Sequence, residues 1–156
     1  MKTFEKLATC IAVALLSLGI YSCGGDDEES VGSRGLLIGT WNGVYYIAQE
    51  WENGEKIYDT KEDFVNGTNR YSIEFKEDGT YTEKEIYNNS GGTGYYHGKW
   101  SYSGNKLTII EDDDDDYNEV WTITKMTENE LVFELREKEK EDGVTYEYYQ
   151  QHAFTR

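Results

Sequence analysis

The sequence predicts an all-β domain folded as an antiparallel up-and-down barrel of eight or nine strands. The chain has 14 tyrosines, 4 tryptophans, 5 phenylalanines and no proline, and aromatic side chains pack well on a pleated sheet. Its apolar residues show no sustained 3.6-residue period after residue 22, which argues against helices. Hairpins in series favour a closed barrel, because closure removes exposed strand edges, and a two-sheet sandwich is the structural alternative.

Short turns divide the domain into these strands. Asn53-Gly54 tolerates the positive backbone angles of a two-residue turn, and Asp78-Gly79 joins two clearly alternating runs. We predict loops at residues 60–69, 88–94 and 111–118, the last because five consecutive aspartates cannot pair as a strand. The predicted strands cover residues 37–51, 55–58, 71–76, 80–87, 96–102, 106–110, 120–126, 131–135 and 144–156.

Alternation along these strands places one set of aromatic side chains on the inner face. In the first strand we expect Gly39, Trp41, Gly43, Tyr45 and Ile47 to share a face. The inward rings could line a ligand cavity or could themselves be the core, since a barrel of this size holds either filling side chains or one small ligand. The candidate ligand-binding residues are Tyr45, Tyr71, Phe75, Trp100, Trp121 and Phe133.

The first 22 residues have the pattern of an export signal. Lys2 and Lys6 precede an apolar run at residues 7–20, which is too short to span a bilayer. The run leads into Ile20-Tyr21-Ser22-Cys23, which resembles the lipobox of bacterial lipoproteins. This resemblance implies cleavage before Cys23 and lipid attachment to it, so that the acyl chains hold the protein on a membrane.

Residues 23–35 are predicted to be a flexible acidic tether between the lipid and the domain. After Cys23 the segment continues as Gly24-Gly25-Asp26-Asp27-Glu28-Glu29, and it has little apolar surface to bury. A glycine beside the cysteine followed by acidic residues resembles the surface-export signal of Bacteroidota lipoproteins. We therefore expect an outer-membrane lipoprotein exposed at the cell surface, with a periplasm-facing protein as the alternative.

Composition excludes several classes of function. The net charge is −16 and there is no basic stripe, so nucleic acid is not an expected partner. Loss of Cys10 with the signal and acylation of Cys23 would leave no thiol and no disulfide. We expect a monomeric domain over residues 36–156 that is held together by packing and strand pairing.

No residue pattern indicates catalysis or a bound cofactor. The sequence contains no Gly-x-Ser-x-Gly, no phosphate-binding glycine loop and no His-Glu-x-x-His, and we predict that the protein is not an enzyme. His97 and His152 are the only histidines, too few for an expected zinc site. The aspartates at residues 112–116 offer oxygen ligands for calcium but lack the spacing of an EF-hand loop, so a solvated loop and a calcium site are both open.

Several short motifs, in order, resemble a known family. Leu37-Ile38-Gly39-Thr40-Trp41 is similar to the Gly-x-Trp motif of the first lipocalin strand. Further landmarks are Phe75-x-x-Asp78-Gly79-Thr80-Tyr81, Gly98-x-Trp100, Lys106-Leu107-Thr108-Ile109, Trp121-x-Ile123 and the final Arg156. Together they resemble the lipocalin-like (calycin-like) domains of small Bacteroidota lipoproteins over residues 36–156.

The family resemblance implies structural roles. Gly39 and Trp41 would close one end of the barrel, with Arg156 as the packing partner of Trp41. The barrel pattern and the lipid anchor, and not the resemblance, lead us to expect a non-catalytic module that binds a small apolar ligand or a glycan. The alternative is a structural or interaction protein with a filled barrel and no small-molecule ligand.

Overall fold

The computed structural model describes residues 34–112 and 118–156. The expected signal segment, Cys23 and the tether lie outside these residues, apart from the last two tether positions, and so does most of the aspartate run. The elements in chain order are α1 (Arg34–Leu37), β1 (Gly39–Glu52), β2 (Glu55–Asp63), β3 (Asn69–Phe75), β4 (Thr80–Tyr87), β5 (Gly92–Ser103), β6 (Lys106–Glu111), β7 (Asn118–Met126), β8 (Glu130–Glu141) and β9 (Val144–Thr155).

Strand pairing closes the sheet into an antiparallel barrel. The strand order is β2-β1-β3-β4-β5-β6-β7-β8-β9, and β1 also pairs with β9. The start of β1 pairs with β3 as far as Asn42, where pairing with β9 begins, and from Tyr45 onward β1 lies between β2 and β9. Eight strands therefore form the closed barrel and β2 is an additional strand beside β1. The predicted up-and-down barrel of eight or nine strands is confirmed.

Three strands extend at least four residues beyond the range that the sequence pattern predicts. β2 continues to Asp63, β5 already begins at Gly92, and β8 continues to Glu141. These extensions are rich in charged residues or glycine, which have low intrinsic strand preference. They become strands because a neighbour supplies a continuous ladder, as β9 does for β8 as far as the pair Glu141 and Val144. The predicted loops at 60–69 and 88–94 are correspondingly too long.

A β-bulge in β1 changes which side chains face the interior. The β1–β9 register shifts between Gly43 and Tyr45, so that Tyr46 lies opposite His152. A bulge inserts one extra residue into a strand and reverses the alternation beyond it. The prediction that Tyr45 and Ile47 continue the inward face of Trp41 is therefore wrong, and Tyr46 takes the inward position.

Gly43 leaves the space that this part of β1 requires. A Cβ atom placed on Gly43 would lie 2.9 Å from the Phe64 ring and 3.1 Å from the Tyr71 carbonyl oxygen. Both distances are shorter than ordinary carbon contacts. The absent side chain thus lets Phe64 pack close to the backbone of β1, where it contacts Tyr71 at 5.6 Å between ring centroids.

One half of the barrel interior is solidly packed. Trp41 is completely buried and its indole N–H donates to the Leu37 carbonyl at 2.8 Å. Arg156 lies over the Trp41 ring at 4.0 Å and donates to the carbonyls of Leu36 and Ile38, while Gly39 begins β1 beside it with a φ of 118°. The same buried cluster continues to the other half of the interior through Ile109, Trp121 and Phe133, and its further members are Leu37, Ile73, Phe75, Tyr81, Trp100, Leu107, Ile123, Met126, Leu131 and Phe154.

Candidate functional site

The other half of the barrel holds a cavity of about 340 Å³ that opens to solvent. A cavity of this size falls within the usual range for small-molecule sites. Strands β1, β3, β4, β6, β7, β8 and β9 contribute side chains to its wall, and β2 adds one more. The lining residues are Tyr46, Glu62, Phe64, Tyr71, Glu83, Glu85, Ile109, Glu119, Trp121, Phe133, Gln150 and His152.

His152 lies at the centre of the aromatic part of this wall. Its ring centroid is 4.6 Å from that of Tyr46, 5.2 Å from that of Trp121 and 5.5 Å from that of Phe133. Tyr71 is slightly farther away, at 5.6 Å. Burial among these rings lowers the pKa of His152 to about 3, because an imidazolium would lose its hydration there. The imidazole is therefore neutral at physiological pH.

One ring nitrogen of His152, Nδ1, is buried without a hydrogen bond to any described residue. A neutral imidazole carries one donor and one acceptor nitrogen, and leaving a buried polar atom unpaired costs free energy. Packing against the neighbouring rings, and not a hydrogen bond at Nδ1 within the described residues, therefore holds His152 in the wall.

Glu83 is a partly buried carboxyl group of the cavity whose pKa is strongly shifted. Burial, together with the charges of Glu85, Glu119 and Glu111, raises its pKa to about 7, against a smaller opposing effect of the hydrogen bond from Tyr71. Burial and the charge of Glu62 also raise the pKa of Glu85. The pKa of Tyr71 is raised well above its ordinary value, mainly by burial. The wall thus combines crowded carboxylates with a neutral phenol.

Neutral donors hold these carboxylates in place. The Asn69 amide donates to Glu62 at 2.7 Å and the Trp121 indole donates to Glu119 at 3.0 Å. The Tyr87 hydroxyl donates to Glu85. These contacts orient the carboxylates without neutralising their charge.

A second, smaller cavity adjoins the first. It has a volume of about 250 Å³ and is also lined by Glu83, Glu85, Ile109 and Glu119. Tyr81, Tyr96 and Glu111 complete its wall. Glu83, Glu85 and Glu119 therefore lie between two adjacent spaces at the open half of the barrel.

The structure separates the six predicted ligand-binding residues into three groups. Tyr71, Trp121 and Phe133 line the larger cavity. Phe75 and Trp100 lie in the packed half, where their ring centroids are 5.2 Å apart. Tyr45 is outside the interior and donates to Gln151 at 3.0 Å. Ligand binding by any of the six stays a prediction.

The sequence reasoning missed the polar residues of the cavity. Glu83 and Glu85 follow Tyr81 at every second position of β4, so the period of two could have indicated that they face inward with it. Tyr46 could not be found in this way because the bulge is invisible in the pattern. The sequence suggests no role for His152 other than that of a zinc ligand, whereas the structure places it among aromatic rings. His97 lies on the exposed surface beside Thr82.

Within residues 34–112 and 118–156, no group of three or more His, Cys, Asp or Glu side chains could hold a metal ion. The calcium question for residues 112–116 falls mostly outside the described residues. In the same part of the chain, no helix has the length and apolarity needed to cross a bilayer.

The chain was compared with known families, proteins and structures. Residues 37–133 match the model of the lipocalin-like domain family. No curated protein matches the chain. A lipocalin-like protein from Bacteroides uniformis is 17% identical, with a TM-score of 0.45 over 73% of this chain and 97% of that chain. An uncharacterized protein from Bacteroides eggerthii is 13% identical, with a TM-score of 0.44 over 72% and 98%. On the family match, which covers more than half of its length, the chain belongs to the lipocalin-like domain family.

Proposed function

We propose that this protein is a lipid-anchored, non-catalytic binding protein whose small ligand occupies the barrel cavity. The observation that carries the proposal is the division of the interior into a packed half and a cavity of about 340 Å³ with an aromatic wall. A lipocalin-like fold is compatible with a binding domain, although fold alone does not establish a function.

The open half of the barrel favours ligand binding over a purely structural role. A structural protein needs only a filled core, and the cluster around Trp41 already provides one. Placing Glu83, Glu85 and His152 around a second, open space does not stabilise the fold, because each of these side chains loses hydration there. Polar groups retained at such a cost are typical of binding sites.

The interior is also a better site than the outer groove near the end of β1. That groove has a volume of about 520 Å³ and contains Trp51 and Tyr149, two rings on which a sugar could stack. However, the Arg136 guanidinium lies 4.2 Å from the centre of the Tyr149 ring and the Lys56 ammonium lies 5.5 Å from that of Trp51. Because cations already occupy the faces of these rings, we assign the ligand to the interior.

A pair of neighbouring substitutions in β9 tests this assignment. Gln150 lines the cavity, whereas Gln151 is bonded to Tyr45 on the outer side. We expect Gln150→Trp to fill the cavity and Gln151→Trp to leave it open. The probe is N-phenyl-1-naphthylamine, a neutral fluorophore whose emission increases in apolar surroundings. Emission should rise on mixing with the unsubstituted protein and with Gln151→Trp, but not with Gln150→Trp.

Thermal unfolding of both variants shows whether each is folded at the temperature of the titration. A probe signal that is absent from the unsubstituted protein, or that persists in Gln150→Trp, would contradict binding in the barrel.

The lipid anchor and the cell-surface location are part of the proposal and are supported by the sequence. Two or three acyl chains on Cys23 would hold the domain firmly, since each buried methylene contributes about 0.8 kcal/mol. Labelling cells with a palmitate analogue should mark the protein and leave Cys23→Ala unlabelled. Protease treatment of intact cells should remove the domain if it faces outward. A labelled Cys23→Ala protein would disprove acylation at this residue.

A further inference from the structure

Three carboxylates of the larger cavity, those of Glu62, Glu83 and Glu85, have no lysine or arginine partner among the described residues. Ion pairs in the described residues use other acidic side chains: Lys56 with Asp59, Lys125 with Glu130, Arg136 with Glu134, and Lys138 with Glu147. Glu62, Glu83 and Glu85 bond only to the neutral groups of Asn69, Tyr71 and Tyr87 among the described residues. No lysine or arginine in this part of the chain lines the larger cavity.

The negative charge faces a wall of rings, which is a second and independent feature. Tyr46, Tyr71, Trp121 and Phe133 surround His152 at centroid distances of 4.6 to 5.6 Å. Aromatic faces attract cations as well as apolar groups. His152 is neutral because burial lowers its pKa to about 3, so it adds no positive charge to the same wall. Each of these features is suited to a positively charged donor.

We propose that the cavity binds a primary amine with a flat apolar body, the ammonium group lying against Glu83 and Glu85 and the body lying against Trp121 and Phe133. This inference rests on the proposed function and specifies the chemical class of its ligand. Such a ligand would neutralise the crowded carboxylates and bury its own apolar surface in one step. Its ammonium group would donate to acceptors that now have only neutral donors.

An organic cation fits the cavity better than a metal ion or an anion. A hard metal ion needs several ligand side chains converging on one point, and no such group occurs in the described residues. An anion would meet Glu62, Glu83, Glu85 and Glu119 with no compensating lysine or arginine in the described part of the wall. The volume of about 340 Å³ also leaves room for a ring system in addition to the charged group.

Binding of an amine should weaken as the pH falls. Glu83 has its pKa raised to about 7 by burial and neighbouring charges, so that it takes up a proton between pH 8 and pH 5.5, whereas a primary alkylamine stays charged over this range. His152 stays neutral because its pKa is lowered to about 3. The other titratable groups that face Glu83 or share its cavities are Tyr46, Glu62, Tyr71, Tyr81, Glu85, Tyr96, Glu111 and Glu119.

Three probes with one ring system test the inference by isothermal titration calorimetry. They are tryptamine, the neutral alcohol tryptophol and the anion indole-3-acetate. We expect tryptamine to bind about tenfold more tightly than tryptophol at pH 8 and indole-3-acetate not to bind, since one partly buried ion pair contributes about 1.4 kcal/mol. Glu83→Gln should remove most of this preference, and so should lowering the pH to 5.5.

Two control variants separate the cavity from general attraction to an acidic protein. Glu74→Gln removes the same charge from an exposed position of β3 and should leave the preference intact. Gln150→Trp keeps every charge and should abolish tryptamine binding. Equal affinities for tryptamine and tryptophol, or equal effects of Glu83→Gln and Glu74→Gln, would overturn the amine inference and leave the cavity as the ligand site. If none of the three indoles binds, the amine inference fails. The proposed function then also fails if N-phenyl-1-naphthylamine does not bind, and it stands if this probe binds.

Discussion

Replacing Gly98 with alanine is expected to destabilise the barrel by about 4 kcal/mol or more, a large part of the stability of a domain of this size. A Cβ atom on Gly98 would lie 2.0 Å from the Ile110 carbonyl oxygen, 2.7 Å from Tyr81 Cε1 and 3.0 Å from the Glu111 Cα. Two of these neighbours are backbone atoms of β6, which cannot move aside without breaking the β5–β6 ladder. Urea denaturation followed by circular dichroism measures the effect.

Gly92→Ala is the matched control for this substitution because Gly92 lies in the same strand. Its Cβ atom would meet the Ser90 hydroxyl oxygen at 3.5 Å and the Tyr87 ring at 4.0 Å, which are ordinary contacts. The denaturation midpoint of Gly92→Ala should therefore stay close to that of the unsubstituted protein. Equal midpoints for the two variants would show that the close approach at Gly98 is not a constraint on the fold.

Trp41→Ala is expected to cost about 4 kcal/mol, in the range observed when a large buried ring is removed. Trp41 is 0% exposed. Its loss would leave a cavity in the packed half, remove the donor to the Leu37 carbonyl and remove the ring on which Arg156 lies. Thermal unfolding monitored by near-ultraviolet circular dichroism measures the change.

Trp51→Ala provides the comparison for Trp41→Ala, because Trp51 is only partly buried and lies in the outer groove. We expect Trp51→Ala to lower the melting temperature much less. If the two variants melted together, Trp41 would not be the centre of the packed half.

The hairpins were predictable where the turn chemistry was local. Asp78-Gly79 between two alternating runs predicts the β3–β4 hairpin, and the structure has β4 at Thr80–Tyr87 as expected. Gly79 has a φ of 84°, as the turn requires. By contrast, the length of β2 follows from pairing with β1 and not from its own sequence, since seven of its nine residues are exposed.

The candidate site was predictable only in part, for two physical reasons. Alternation correctly groups inward rings such as Trp121 and Phe133, but it does not tell where along the barrel axis the packing ends and the cavity begins. Because of the extra residue at the β1 bulge, Tyr46 and not Tyr45 faces the interior. The sequence around Gly43 does not indicate this bulge. The association of Trp41 with Arg156 came from the family resemblance and not from periodicity.

The position of β2 has a consequence for self-association. Among the described residues β2 pairs with β1 alone, so its other side presents free backbone N–H and C=O groups to which a strand of another molecule could add. Lys56, Asp59, Lys61 and Asp63 are exposed along this strand, and a second copy docking there would have to bury or oppose these charges. Charged residues on an edge strand oppose its addition to another sheet, so we expect β2 to disfavour edge-to-edge pairing of two copies of the domain.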